Sequence, residues 1–145
     1  MNKNQVKLLH YGQVVNRVIT QTEEIQETMS AKFEALRTAI DSETLAAFDS
    51  ESYAETKAAF SAGTTQYAAL GQQLDAVAVP ARLMGNHKLM TSAYAEFVAG
   101  CAAMTASLND TPATLDVAAF NAAEAAQDAA TGKLMKHLQK VSALA

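Results

Sequence analysis

The sequence predicts an all-α protein, a four-helix antiparallel bundle with up-down-up-down connections and coiled-coil-like packing. Three observations lead to this fold class. Half of the 145 residues are hydrophobic, and many of these are alanine, the strongest helix former. Only two prolines and six glycines interrupt the chain. Large apolar residues recur in alternating steps of three and four along several segments, the pattern of helices that pack lengthwise against neighbours.

The length of 145 residues fits one domain, 1–145. Its apolar periodicity predicts helices at about 4–40, 52–78, 81–108 and 117–142, with a short helical turn at about 42–49. The first helix is the longest, because its apolar positions continue from Leu8 to Ile40 without a proline. At roughly 55 Å it either extends beyond its partners or breaks at the capping-box pattern from Thr20 to Glu23.

The second helix is predicted to begin at Ser52, where Glu55 would complete a capping box. It must end before Pro80, because a residue that precedes proline is disfavoured in the helical conformation. Pro80 in turn suits the first turn of the third helix. The third helix is the most regular, with core positions predicted at Leu83, His87, Met90, Tyr94, Phe97, Cys101, Met104 and Leu108.

The fourth helix is predicted to follow the N-cap Asp116, with Leu115 and Phe120 placed as a hydrophobic staple. Its core positions are mostly alanine. Alanine permits a close approach between backbones but contributes little burial energy, so this helix is expected to be the least stably docked.

No motif of a known catalytic chemistry is present. The chain contains no Glu-x-x-His pair, His-Glu-x-x-His helix, phosphate-binding loop, Gly-x-Ser-x-Gly or Cys-x-x-Cys. The single cysteine, Cys101, lies at a core position and is predicted to be structural, since a buried thiol packs as a small apolar group. We therefore expect no enzymatic activity, no catalytic residue, no cofactor and no cofactor-binding residue.

The three histidines fall at the same end of the predicted bundle. Three imidazoles can hold a zinc ion with an open position, so His87, His10 and His137 form the candidate metal site. His10 and His137, however, lie beside core positions and are expected to point sideways or outward. The preferred interpretation is therefore no metal, with His87 as a core histidine that has a hydrogen-bond partner.

The same end collects most of the cations. We name this surface the basic pole, and its residues are Lys3, Lys7, Arg82, Lys88, Lys133, Lys136 and Lys140. The helix dipole accounts for cations at the end of the fourth helix but not for those near helix starts, where cations are disfavoured. The pole is therefore predicted to face an anion or a partner. Nucleic acid is not expected, because no aromatic residues alternate with these cations.

The sequence thus favours a non-enzymatic binding or scaffolding module with a protein partner. A variant of this hypothesis is self-association, since an overlong first helix would leave Tyr11, or Leu36 and Ile40, uncovered. The alternative function is a small-ligand or metal-binding bundle that uses the basic, histidine-containing pole. No apolar run is long enough for a transmembrane helix. A cytoplasmic location is expected, with a secreted or surface-anchored protein after leader removal as the alternative.

The order of features over about 50–130 is also informative. A helix ends at Pro80, His87 follows, an apolar helix ends in Asn109-Asp110, and the last helix opens with Asp116 and Phe120. This order resembles that of small uncharacterised helical-bundle proteins of Gram-positive bacteria, some of them lipoprotein-like. The resemblance implies a helical bundle and brings no known activity.

Overall fold

The chain folds into an antiparallel four-helix bundle, which confirms the predicted fold class. The structure, a computed structural model, describes residues 1–144. Its helices are α1 (Lys3–Asp41), α2 (Ser50–Ala76), α3 (Met84–Ser107) and α4 (Val117–Leu144). Each connection contains one short 3₁₀ turn, at Leu45–Ala47, Ala81–Leu83 and Pro112–Thr114. No strand occurs within the described residues.

Helix α1 is continuous over 39 residues and does not break at the capping-box pattern. It begins after Asn2, whose side chain accepts a hydrogen bond from the backbone N–H of Gln5, while the Gln5 side chain accepts one from the Asn2 N–H. At 1.5 Å per residue α1 is about 58 Å long, which exceeds the length of every partner helix.

The residues that were expected to be uncovered on α1 are buried. Tyr11, Leu36 and Ile40 are at most 8% exposed, so the expectation that an overlong α1 leaves them uncovered is wrong. They join two core clusters that include residues near the ends of the neighbouring helices. The large exposed apolar side chains of α1 are Val6 and Leu9, which lie in its first two turns.

Helix α2 begins two residues earlier than predicted. The Asp49 carboxylate accepts a hydrogen bond of 2.9 Å from the Ser52 backbone N–H and one of 2.8 Å from its hydroxyl, so Asp49 and not Ser52 is the N-cap. The predicted start of the third helix at residue 81 is a 3₁₀ turn, and α3 follows from Met84. The Asp116 cap of α4 is present, at 3.0 Å from the Ala119 N–H.

The predicted core positions are the core of the bundle. On α3 all are buried except Cys101, which is half-buried. On α1 the buried positions lie toward the two ends of the bundle, while Ile25, Met29 and Phe33 in between are only half-buried. The packing is therefore tight at both ends and looser in the middle.

The four helices are not evenly spaced. The backbones of α3 and α4 approach each other most extensively, whereas α1 and α4 remain further apart than the other neighbouring pairs. Gly100 permits the close approach, because an added Cβ there would lie 2.8 Å from Gln127 Cγ and 3.3 Å from the Gln127 backbone nitrogen. On α4 the alanine-rich face permits the same close approach of the two backbones, as the sequence predicted.

The different surroundings of Gly132 and Gly100 predict different effects of alanine substitution on stability. Gly132 is exposed within α4, and an added Cβ there meets nothing within 4 Å. Gly132→Ala should raise the free energy of unfolding by up to about 1 kcal/mol, the difference in helix propensity. Gly100→Ala should gain less or be destabilising, because its methyl group must displace Gln127. Urea unfolding of both variants checks this, and equal stabilisation by the two changes would contradict the packing role of Gly100.

Candidate functional site

The basic pole is an exposed surface. All seven of its cations have exposed side chains. Lys133 pairs with Glu96 at 3.1 Å, and both partners of this pair are more than half exposed. The other six pole residues form no ion pair with any part of the chain that the structure describes. Six cations are therefore available to an external anionic group.

Exposed apolar side chains accumulate at the same end. Of the eight large hydrophobic residues exposed in the described chain, seven are at the start of α1, the start of α3 or the last third of α4. They are Met1, Val6, Leu9, Met84, Leu89, Met135 and Leu144. Only Val117 lies at the opposite end. This end of the bundle thus combines cations with uncovered apolar surface, which is the composition of an interaction surface.

His87 is a core histidine with two hydrogen bonds. Its Nε2 lies 3.0 Å from the Leu74 carbonyl oxygen, which can only accept, so Nε2 carries the proton. Its Nδ1 lies 2.8 Å from the Tyr11 hydroxyl and accepts from it. His87 is 7% exposed, and burial lowers the pKa of its imidazole. Both ring nitrogens of His87 are therefore engaged within the protein.

The three histidines do not form a ligand set. His10 is exposed on α1, and His137 is half-buried on α4 with its Nδ1 buried and without a hydrogen-bond partner in the described chain. Within residues 1–144 no group of three histidine, cysteine, aspartate or glutamate side chains is placed to hold a metal ion. The groups of the basic pole that are available to bind a ligand are consequently its lysines and its arginine rather than its imidazoles.

A cleft in the middle of the bundle was not predicted from the sequence. It has a volume of about 300 Å³ and takes residues from all four helices. They are Gln26, Met29, Ser30, Phe33, Phe60, Thr64, Tyr67, Phe97, Cys101, Met104, Thr105, Glu124, Gln127 and Asp128. The exposed residues of this lining lie on α1 and α4, so the cleft opens where those two helices are far apart. The one signal in the sequence was Gln127, a polar residue at a core position of α4.

Cys101 contributes its thiol to the wall of this cleft. Burial raises the pKa of the Cys101 thiol to about 12. At neutral pH the group is therefore a protonated thiol, which is a poor nucleophile and a poor metal ligand. The cleft has an apolar, sulfur-containing floor rather than a reactive centre.

Comparison with known protein families, with curated proteins and with solved structures found no match to this chain. The resemblance to Gram-positive bundle proteins thus gains no support from these comparisons. None of the helices in residues 1–144 has the length and apolar character needed to cross a membrane.

The buried state of His87 predicts that acid destabilises the bundle. Above a pH of about 6.5 the imidazole is neutral in both the folded and the unfolded chain. As the pH falls below this value the unfolded chain binds a proton and the folded chain does not, because the folded pKa is lowered. The free energy of unfolding should then fall by up to about 1.4 kcal/mol per pH unit, until the pH passes below the folded pKa.

Urea unfolding at several pH values, with His87→Leu as the comparison, measures this contribution. The variant should lose about 1–3 kcal/mol at neutral pH, because the Tyr11 hydroxyl and the Leu74 carbonyl lose their partner. It should also lose less stability on acidification than the wild type. His10 and His137 are present in both proteins, so their contributions cancel in the difference. Parallel pH profiles would contradict the neutral, buried state of His87.

Proposed function

We propose that the chain is a non-enzymatic binding module that docks an acidic partner protein on its basic pole. The observation that carries the proposal is the coincidence of six unpaired cations and seven exposed large apolar side chains at one end of the bundle. Opposite charges steer two proteins together and set their orientation, while apolar contact supplies much of the affinity. Both components are available at this pole.

The helix dipole does not account for the cations near helix starts. Lys3 lies in the first turn of α1, and Lys7 and Lys88 lie in the second turns of α1 and α3. The dipole is positive at a helix start, so it disfavours Lys3 and gives no stabilisation to the other two. A negatively charged partner would be attracted by the positive potential that the helix starts and their cations create.

A protein partner fits the pole better than a membrane or a nucleic acid does. The exposed large apolar residues are methionine, leucine and valine, and none is aromatic. Helices that lie on membranes usually present tryptophan or phenylalanine, and single-stranded nucleic acid is held by aromatic stacking. Methionine instead adapts to varied protein surfaces. A second copy of the chain is a weaker fit, because the end opposite its basic pole exposes Val117 alone among the large apolar residues of the described chain.

The alternative of small-ligand or metal binding at the histidine-containing pole has less geometric support. His87 would have to release Tyr11 or Leu74 before it could bind a ligand. His10 and His137 would have to move toward it.

The proposal predicts that partner capture depends on the pole and not on net charge. Lys3→Gln with Lys7→Gln removes two charges from exposed, unpaired positions of the pole. Lys32→Glu changes the net charge by the same amount on the same helix but outside the pole, and serves as the control. With each chain as bait for extracts and for cross-linking, we expect one acidic protein to bind the wild type and Lys32→Glu. The double variant should bind it at least tenfold more weakly.

Binding should also weaken steeply as the salt concentration rises, since exposed charges are screened. Leu9→Ser with Leu89→Ser should weaken it at constant charge, because both side chains are about half exposed and are free to contact a partner. Capture that is equal for all variants would contradict the proposal. Pole-dependent binding to phosphatidylserine vesicles with no pole-dependent protein would assign the surface to a membrane instead.

A further inference from the structure

The cleft between α1 and α4 has the composition of a binding site, and it is separate from the pole. Its floor and walls include four aromatic rings, those of Phe33, Phe60, Tyr67 and Phe97. Its volume of about 300 Å³ is at the lower end of the range for small-molecule sites in proteins. The size therefore suits a small ring system or a short branched chain rather than a large cofactor.

Charge determines which small molecules fit. The cleft is lined by two carboxylates, Glu124 and Asp128, and by no lysine, arginine or histidine. Glu124 is 3.4 Å from Arg37 and is partly neutralised by it. Asp128 is exposed and forms no ion pair within the described residues. The mouth of the cleft thus attracts a cation and repels an anion.

The interior of the cleft presents an aromatic wall. Tyr67 is part of the lining and is 1% exposed. The Tyr67 ring packs edge-to-face on Phe97, with ring centroids 5.0 Å apart. The body of a ligand in the cleft would therefore contact aromatic side chains. Aromatic faces also attract organic cations directly.

From these observations we propose that the cleft binds a small organic cation, an amine with an aromatic or branched apolar body. The apolar body occupies the space between Met29, Phe60 and Phe97, and the ammonium group faces Asp128 and Glu124 at the mouth. This binding is non-covalent and involves no reaction. It does not rest on the function proposed for the basic pole, which lies at the end of the bundle.

Tryptamine and indole-3-propionate are suitable probes, since they share one ring system and differ in the sign of the charge. The protein contains no tryptophan, so indole fluorescence excited beyond the tyrosine absorption band reports the probe alone. Tryptamine should bind saturably with one site per chain. Indole-3-propionate should bind at least tenfold more weakly, a factor that corresponds to about 1.4 kcal/mol.

Variants locate the site. Asp128→Asn should weaken tryptamine binding about three- to tenfold, and the control Asp75→Asn, an exposed carboxylate on α2 away from the cleft, should leave it unchanged. Ser30→Phe should abolish binding by placing a ring in the mouth, whereas Thr28→Phe, exposed on α1 but not part of the lining, should not. Both α1 substitutions are at exposed positions, and thermal unfolding confirms that the variants are folded.

Three binding results would contradict the proposed cleft site. Absence of saturable tryptamine binding would overturn it, as would equal affinities for the two probes. Binding that persists in Ser30→Phe would place tryptamine elsewhere on the chain. None of these results bears on partner capture by the basic pole, because Lys3 and Lys7 remain in every cleft variant.

Discussion

The close packing of α3 against α4 determines the shape of the bundle. Gly100 lets the backbone and side chain of Gln127 come close, and the alanines of α4 add little bulk, so α4 lies against α3 and away from α1. At the end opposite the basic pole the gap to α1 is bridged by large groups: Phe33 stacks on Phe120 at 6.0 Å, and Arg37 reaches Asn121 at 2.8 Å. In the middle of the bundle no aromatic pair or side-chain hydrogen bond joins α1 and α4 within residues 1–144. The cleft is the space that this unequal spacing leaves.

Two buried hydrogen-bonded contacts set the position of α1 along α3. The Tyr11 hydroxyl donates to His87 Nδ1 at 2.8 Å. The Thr22 hydroxyl donates to the Val18 carbonyl, so the Tyr94 hydroxyl donates to Thr22, at 2.7 Å. Apolar seams with a repeated spacing can slide by one heptad at modest cost, whereas a slide here would leave these polar groups buried and unpaired. His87 and Thr22 thus specify the register that the apolar residues alone leave open.

The apolar periodicity was sufficient to predict the fold because helix packing depends on it directly. The spacing of Tyr53, Phe60, Tyr67 and Leu74 predicted a buried face, and all four are buried. The start of α2 was misplaced because Asp49 and Ser52 are both good caps, and only the hydrogen bond to the Ser52 N–H distinguishes them.

The cleft was missed for a different reason. Met29, Phe33 and Cys101 have the residue types and the spacing of core positions, and their partial exposure follows from the distance between α1 and α4, which no local pattern encodes. The pole was visible in the sequence, since topology alone brings its lysines to one end, but the exposed Val6 and Leu9 were not part of that prediction.

The state of the titratable groups favours binding over catalysis. A general base needs a pKa near the working pH and an accessible lone pair, yet the His87 lone pair is occupied by Tyr11 and burial lowers its pKa. A nucleophile needs its anionic form, yet burial holds Cys101 as a thiol and raises the pKa of Tyr11 to about 12. The groups that remain charged are at the surface, where cations gather at one end and carboxylates at the mouth of the cleft. The two binding proposals use this arrangement in opposite senses, an anionic surface at the pole and a small cation in the cleft, and neither proposal requires a bond to be made or broken.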